Sequence, residues 1–282
     1  MKLNFAAHAN NTALAHTVFS LPFAYMAAFL AAGGTPPLWE LFWITLAIVG
    51  ARSAALTLDN LADLQYDRLQ PRHKHRALVS GRLTKREAYL SLLLYGAVFF
   101  VAVLMLRPIC LRLLPLAVIP FAVYPFTKRF TFLCHGVLGM AIAMAPAGAW
   151  VAVSGTIDFP LVLLATSVAL WIGAFDAVYG AQDEAFDKKH GLHSLATAFT
   201  AAGALKIARV AHVVSMAGFV VLGVIMGLNL WYYIGVFIAA ATLFYQHSIV
   251  TARDFSRVTQ VYFMRNGIVS VAMFVFTWLS LC

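Results

Sequence analysis

Long uninterrupted runs of apolar residues constrain this chain more than any other feature of its sequence. Nine of them recur, at roughly 15–32, 41–59, 87–106, 110–126, 133–153, 160–178, 205–227, 229–251 and 264–282. A helix needs about 20 mostly apolar residues to cross a bilayer. The strands of a membrane barrel would instead alternate in polarity over about ten residues. The runs therefore predict an all-α, multi-pass membrane protein with nine transmembrane helices. The 282 residues are 62% hydrophobic and 11% charged, whereas a soluble domain carries about 25% charged residues. An ordinary soluble protein, a disordered chain and a nucleic-acid-binding domain are excluded, and no nucleic-acid partner is expected. Cys110, Cys134 and Cys282 are too widely spaced to suggest a redox or zinc pattern.

The net charge of +9 reads as topology, because Lys and Arg accumulate in cytoplasmic loops. The segment between the second and third runs holds Arg68, Arg72, Lys74, Arg76, Arg82, Lys85 and Arg86. On the same side fall Lys2, Lys128, Arg129, Lys188, Lys189, Lys206, Arg209, Arg253, Arg257 and Arg265. The other side has only Arg107 and Arg112, and Arg52 lies inside the second run. This asymmetry predicts a cytoplasmic N-terminus, an outside C-terminus and residence in the inner (cytoplasmic) membrane. The first run is read as a span rather than an export signal, because polar His8, Asn10, Asn11 and His16 stand where a signal would be plainer. Thr84-Lys85-Arg86-Glu87 forms a capping box, so the third helix should start near Lys85.

Seven of the eleven acidic residues lie in two short stretches, Asp59–Asp67 and Asp176–Asp187. Four residues advance a helix by about 400°, so Asp59, Asp63 and Asp67 share one face, as do Asp183 and Asp187. Asp63 and Asp67 recur 120 positions later as Asp183 and Asp187, with Tyr179 opposite Asp59. Both stretches follow a run entering from outside, and basic residues and histidines follow both. A duplicated four-helix unit, spans 1–4 and 5–8 plus an extra helix, would produce this within a single domain covering 1–282.

The plain reading is of solvated loop charges balancing a basic rim. The matched copies favour a site, since acids near a bilayer are expensive and mark ion or substrate positions. Facing aspartates need cations to stay ionised together, and oxygen-only ligands suit Mg²⁺. Magnesium usually takes one or two carboxylates plus substrate phosphates, with nearby Lys and Arg as phosphate clamps. The pattern predicts a Mg²⁺–pyrophosphate site facing the cytoplasm, beside apolar helices. A substrate with a phosphorylated head and an apolar tail suits both parts. A cation transporter with the acids as its pathway is the alternative, although transporters place such sites near the midplane.

At these residues the chain resembles the UbiA superfamily of intramembrane prenyltransferases. The first Asp-rich motif of that family is matched by Asp63 and Asp67, with Asp59-Asn60 where the family usually has Asn-Asp. The second is matched throughout by Asp176, Tyr179, Asp183 and Asp187. Pro71–Gly81, Tyr124–Thr131 and His16–Phe23 are similar to three further family stretches.

The resemblance is closest to the 4-hydroxybenzoate polyprenyltransferase branch. Gly191-Leu192-His193-Ser194 resembles members of the futalosine route to menaquinone, which use a dihydroxynaphthoate. The resemblance implies a UbiA-like helical bundle that moves a polyprenyl group from its diphosphate to an aromatic acid in ubiquinone or menaquinone biosynthesis. Asp63, Asp67, Asp183 and Asp187, joined by Asp59 and Asp176, would hold Mg²⁺. The role of Asn60 is left open by the swap.

Lys74, Arg76, Lys128 and Arg129 are the diphosphate-binding candidates, with Lys128 and Arg129 foremost. Positive-inside topology alone would also explain them. Arg52, about two turns from Asp59, would bind the acceptor, because a guanidinium grips a carboxylate bidentately. A snorkelling or helix-paired arginine is the alternative there. Tyr124 and Tyr179 would orient substrate or line the cavity. Haem, chlorophyllide or a phosphoribosyl acceptor stays open within the enzyme class.

Overall fold

The computed structural model describes residues 8, 11, 12, 20–258 and 264–282. Residues 15–19 of the first apolar run, and with them half of the His16–Phe23 stretch, lie outside the described residues. Each of the nine runs coincides with a helix among the described residues. They are α1 (Leu21–Ala32), α2 (Leu38–Ala62), α3 (Lys85–Leu104), α4 (Pro108–Thr127) and α5 (Cys134–Ser154). Then follow α6 (Phe159–Gly180), α7 (Leu195–Ile225), α8 (Leu230–Ile249) and α9 (Met264–Leu281).

Local chemistry sets the ends. The expected capping box starts α3: Thr84 Oγ1 accepts from Glu87 N–H at 3.2 Å, and Glu87 Oε2 accepts from Thr84 N–H at 2.9 Å. Asp158 caps α6 by accepting from Leu161 N–H at 3.0 Å. Helix α4 carries Pro115, Pro120 and Pro125 in its interior. Helix α7 begins at Leu195, ten residues before its apolar run, so Lys206 and Arg209 lie on the exposed face of a helix rather than in a loop. Its regular path breaks at Thr200, where φ is 65°. The helix restarts at Ala201, whose N–H donates to Glu184 Oε2 at 2.8 Å.

Among the described residues, six helical runs are long and apolar enough to cross a membrane: α2, α3, α4, α5, Phe159–Lys189 and α7. Helices α1 and α9 are apolar but shorter. Helix α8 has the length, but Trp231, Tyr232, Tyr233, Gln246 and His247 dilute its apolar character. The structure thus secures six such helices where nine were expected.

The core sits where α1, α6, α7 and α8 meet. Phe23 lies 5.0 Å from the Trp171 ring and 5.6 Å from that of Phe219, centroid to centroid. Tyr232 is buried there, and its hydroxyl donates to Phe219 O at 2.8 Å. Helices α3 and α4 instead turn Leu93, Leu94 and Ile119 outward. Such an apolar exterior is unfavourable in water and ordinary in lipid. Helices α2 to α6 enclose an apolar cavity of about 560 Å³.

Candidate active site at the ends of α2 and α6

The two Asp-rich stretches occupy the last turns of α2 and α6 and continue past them. The backbone leaves α2 at Asp63 with φ −90° and ψ 1°, whereas α6 ends at Gly180 and a tight turn, Ala181–Asp183, leads to Asp183 with φ −94° and ψ 6°. Both values fall in the sparsely populated bridge region. Each break opens a short helix, Leu64–Asp67 or Glu184–Lys189, that carries the next aspartate. The result is one polar pocket of about 160 Å³ lined by Asp59, Asp63, Asp67, Asp176, Asp183 and Asp187. All six sequence-predicted carboxylates thus meet, although 120 residues separate the two sets.

The loop after the first motif supplies most of the countercharge. His73 Nδ1–H donates to Asp67 Oδ1 at 2.6 Å, and Arg76 donates to Asp67 Oδ2 at 2.5 Å. Gln70 Nε2 donates to Asp183 Oδ1 at 2.6 Å, and the Arg72 guanidinium pairs with Asp183 Oδ2. Lys128 Nζ stands 3.8 Å from Asp187 Oδ2.

These contacts set the ionisation outside the spans. Burial alone would raise the Asp67 carboxyl, but the hydrogen bond from His73 and the charge of Arg76 outweigh it and hold it below its ordinary value. Asp63 has no comparable partner, so burial, reinforced by Asp59 and Asp67, pushes it up to about 7. Burial opposes the Lys128 ammonium, yet Asp187 and Asp176 raise its pKa. Burial likewise opposes Arg76, and Asp67 and Asp59 raise it.

Other predicted residues divide. Arg76, Lys128 and Arg129 line the pocket. Arg129 also donates to Ala62 O at 2.8 Å, closing off the end of α2. Lys74 is exposed and outside the pocket, so it is not positioned to grip a diphosphate there. Of the swapped pair, Asp59 lines the pocket and Asn60 does not. Asn60 Nδ2 donates to Asn11 O at 2.9 Å, and its Oδ1 accepts from Arg76 at 3.2 Å. It ties the chain together rather than facing the carboxylates.

The pocket opens into the apolar cavity. Arg76, Tyr124, Leu138, Asp176 and Tyr179 line both. Tyr124 donates a hydrogen bond to Asp59. Arg52 lines the apolar side, where its Nε is buried without a hydrogen-bond partner.

Sequence reasoning gave no pocket role to Gln70, Arg72 or His73, and it passed over His135, whose Nδ1–H donates to Asp176 Oδ2 at 2.6 Å. The first three look like ordinary loop polarity. His135 had a usable signal, an ionisable residue in the first turn of an apolar helix.

The donor set suits Mg²⁺. All six carboxylates offer oxygen, and the buried Asp187 Oδ2 lacks a hydrogen-bond partner. Among the described residues no three His, Cys, Asp or Glu side chains form a ready metal cage. Magnesium does not need one, since it completes its shell with water and substrate phosphate.

Fold and site together describe an integral membrane protein with a carboxylate-lined pocket that opens into an apolar cavity. The model of the UbiA prenyltransferase family matches residues 20–277, and the chain belongs to that family. A 4-hydroxybenzoate octaprenyltransferase of Xanthomonas campestris pv. campestris is 32% identical over 89% of this chain and 83% of its own. The enzyme of the same description from Nitrosospira multiformis is 31% identical, covering 87% and 84%. Among solved structures, the apo UbiA homologue of Aeropyrum pernix K1 superposes with a TM-score of 0.84 at 29% identity, over 93% of this chain and 98% of that one. A UbiA homologue of Archaeoglobus fulgidus bound to DMAPP and Mg²⁺ shares the fold, with a TM-score of 0.73 at 20% identity over 97% and 98%.

Proposed function

We propose that this enzyme transfers a polyprenyl group from polyprenyl diphosphate to an aromatic acid of the 4-hydroxybenzoate or dihydroxynaphthoate kind, in quinone biosynthesis. The observation that carries this is the continuity between the carboxylate pocket and the 560 Å³ apolar cavity through five shared residues. A diphosphate and its hydrocarbon tail need those two environments in contact. The activity named for the similar enzymes of Xanthomonas and Nitrosospira supports the choice of donor and acceptor.

Asp63, Asp67, Asp183 and Asp187 are the residues that would hold Mg²⁺. A Mg²⁺ held by them would supply Lewis-acid neutralisation of the charge on the departing diphosphate. Lys128, Arg76 and Arg129 line the same pocket and stabilise that leaving charge directly. The allylic cation left behind meets an electron-rich ring, and loss of a ring proton restores aromaticity. Apolar residues such as Phe99, Phe121 and Phe175 line the cavity and exclude the water that would quench the cation. Arg52 takes the acceptor carboxylate: its Nε is a buried donor awaiting an acceptor, which is the condition under which a charged hydrogen bond contributes most. Tyr124 and Tyr179 stand between the two regions and orient the reactants.

In this reading all nine helices cross the bilayer, the N-terminus and the pocket face the cytoplasm, and the C-terminus lies outside. The lysine and arginine distribution supports that orientation. The matched backbone breaks at Asp63 and Asp183 support an internal repeat of α1–α4 and α5–α8. The test is one assay: membranes bearing the protein, Mg²⁺, labelled polyprenyl diphosphate and a panel of aromatic acids, read by product mass. Diphosphate release without any prenylated aromatic product would refute the reading.

A further inference from the structure

His135 has no part in the chemistry above, yet it is among the most enclosed side chains in the molecule. It sits in the first turn of α5, only 2% exposed, and its Nδ1–H bonds Asp176 Oδ2 at 2.6 Å. The Asp176 side chain is 28% exposed, so one partner of the pair is dry and the other faces open space. That space is the junction itself, because Asp176 lines both the carboxylate pocket and the apolar cavity.

The surrounding backbone is shaped for this contact. Gly173, Asp176 and Gly180 are spaced i, i+3 and i+7, which puts them on one face of α6. A Cβ at Gly180 would come within 2.9 Å of His135 Cε1, and one at Gly173 within 3.0 Å of the His135 carbonyl oxygen. The missing side chain at Gly180 leaves the slot that the imidazole occupies, and the one at Gly173 lets the His135 backbone approach α6 closely. Burying an imidazole costs free energy unless its hydrogen bonding compensates, and the His135 Nε2 has no hydrogen-bond partner. Its Nδ1–H bond goes to the only one of the six pocket carboxylates that also lines the apolar cavity.

We infer that His135 is a positioning residue: it locks one oxygen of Asp176 so that the other is presented at the junction, where it accepts a hydrogen bond from the ring hydroxyl of the aromatic acceptor. This rests on the prenyl-transfer reading above. It moves Asp176 out of the Mg²⁺-holding set and gives it to the acceptor, opposite Arg52, which takes the carboxylate end. Two fixed groups, one for each end of a hydroxylated aromatic acid, set which ring carbon faces the donor.

The test compares wild type with His135→Leu, which removes the donor, and His135→Asn, whose amide nitrogen superposes on Nδ1. The probes are 4-hydroxybenzoate and 1,4-dihydroxy-2-naphthoate as acceptors, geranylgeranyl diphosphate as donor, and Mg²⁺. Calorimetry without donor reads acceptor affinity, and steady-state assays separate kcat from KM. In His135→Leu, kcat/KM for the acceptor should fall by about tenfold or more, the usual effect of losing a charged hydrogen bond. Donor KM, Mg²⁺ affinity and Tm should stay at wild-type values, and His135→Asn should recover most of the loss. Gly180→Ala, which displaces the ring without removing it, should fall between the two.

Three outcomes overturn the inference: wild-type acceptor kinetics in His135→Leu, no recovery in His135→Asn, or a loss shared by Mg²⁺ affinity and Tm. A wild type that neither binds nor prenylates either acceptor refutes the functional reading as well.

Discussion

The two Asp-rich segments make an instructive pair because their backbones agree and their electrostatics do not. Both break at an aspartate with nearly the same φ and ψ, the first at the end of α2 and the second after the tight turn that follows α6, and both carry the next aspartate on a short helix. Each is followed in sequence by a basic, histidine-containing run. In the first, that run does the work: His73 and Arg76 saturate Asp67, and Gln70 and Arg72 reach across to Asp183. In the second it does not. Lys188 pairs with Glu184 at 2.6 Å, away from the pocket, and the pocket-facing cation near Asp187 is Lys128, from the end of α4. Matched spacing therefore reproduces backbone geometry, while countercharge depends on where the loops lead. One loop serves both oxygens of Asp67 and reaches Asp183 of the second motif, while Asp187 is left to Lys128 with a buried oxygen lacking a hydrogen-bond partner.

The sharpest way to break this comparison is to remove one carboxylate from each side. Asp63→Ala with Asp183→Ala should lower diphosphate release by roughly a thousandfold or more, since several kcal/mol of charge stabilisation go with the metal. Surviving activity would remove the metal assignment from both motifs. Arg52→Ala should raise acceptor KM by about ten- to a hundredfold, the range for a lost charge-assisted pair, and leave donor KM unchanged. An unchanged acceptor KM would take Arg52 out of the site.

The unequal countercharges predict unequal lysines. Lys128→Met should weaken diphosphate binding by about tenfold, whereas Lys188→Met and Lys74→Met should stay within about twofold, as exposed charges do. Inorganic pyrophosphate binding measures all three.

The smallest effect concerns pH. With Asp63 raised to about 7 in the fold and near 4 when unfolded, its stabilising share is present below about pH 4 and is lost as pH rises through about 7. Asp67, held low, acts the other way and loses its share only as pH falls below the ordinary carboxylate range. Metal-free protein should therefore show a Tm that declines between about pH 4 and 7, and saturating Mg²⁺ should flatten or reverse the decline. A Tm that rises with pH without metal would contradict the Asp63 assignment.

Much of this was legible in the residues. Apolar runs located the helices because lipid and core both demand continuous apolar surface, and the capping box fixed the start of α3 to the residue. The meeting of two acid clusters followed from their matched spacing. The start of α7 was not legible, because Leu195–Gly203 is mild in composition and its path turns on one strained residue, Thr200, next to Ala201, whose N–H donates to Glu184 from another segment. Nor was the fate of Asp59 and Asn60, adjacent residues of which only Asp59 lines the pocket. Lys74 and Arg76 look alike in the sequence, and only the short turn at Pro71–His73 decides which faces the pocket. His135 matters through a contact with a residue 41 positions away, and no local pattern announces such a partner.

The three prolines inside α4 bear on how a bulky tail gets in. Pro115, Pro120 and Pro125 have no N–H to offer the carbonyls of Leu111, Leu116 and Phe121, so three rungs of the helix ladder are missing along one wall. Leu116 and Phe121 are themselves cavity-lining residues. The neighbouring walls, α5 and α6, keep nearly unbroken ladders and pack against each other. Deformation of the chamber is thus concentrated in one of its sides: α4 can hinge at three places while the carboxylates, mounted on α2 and α6, hold still.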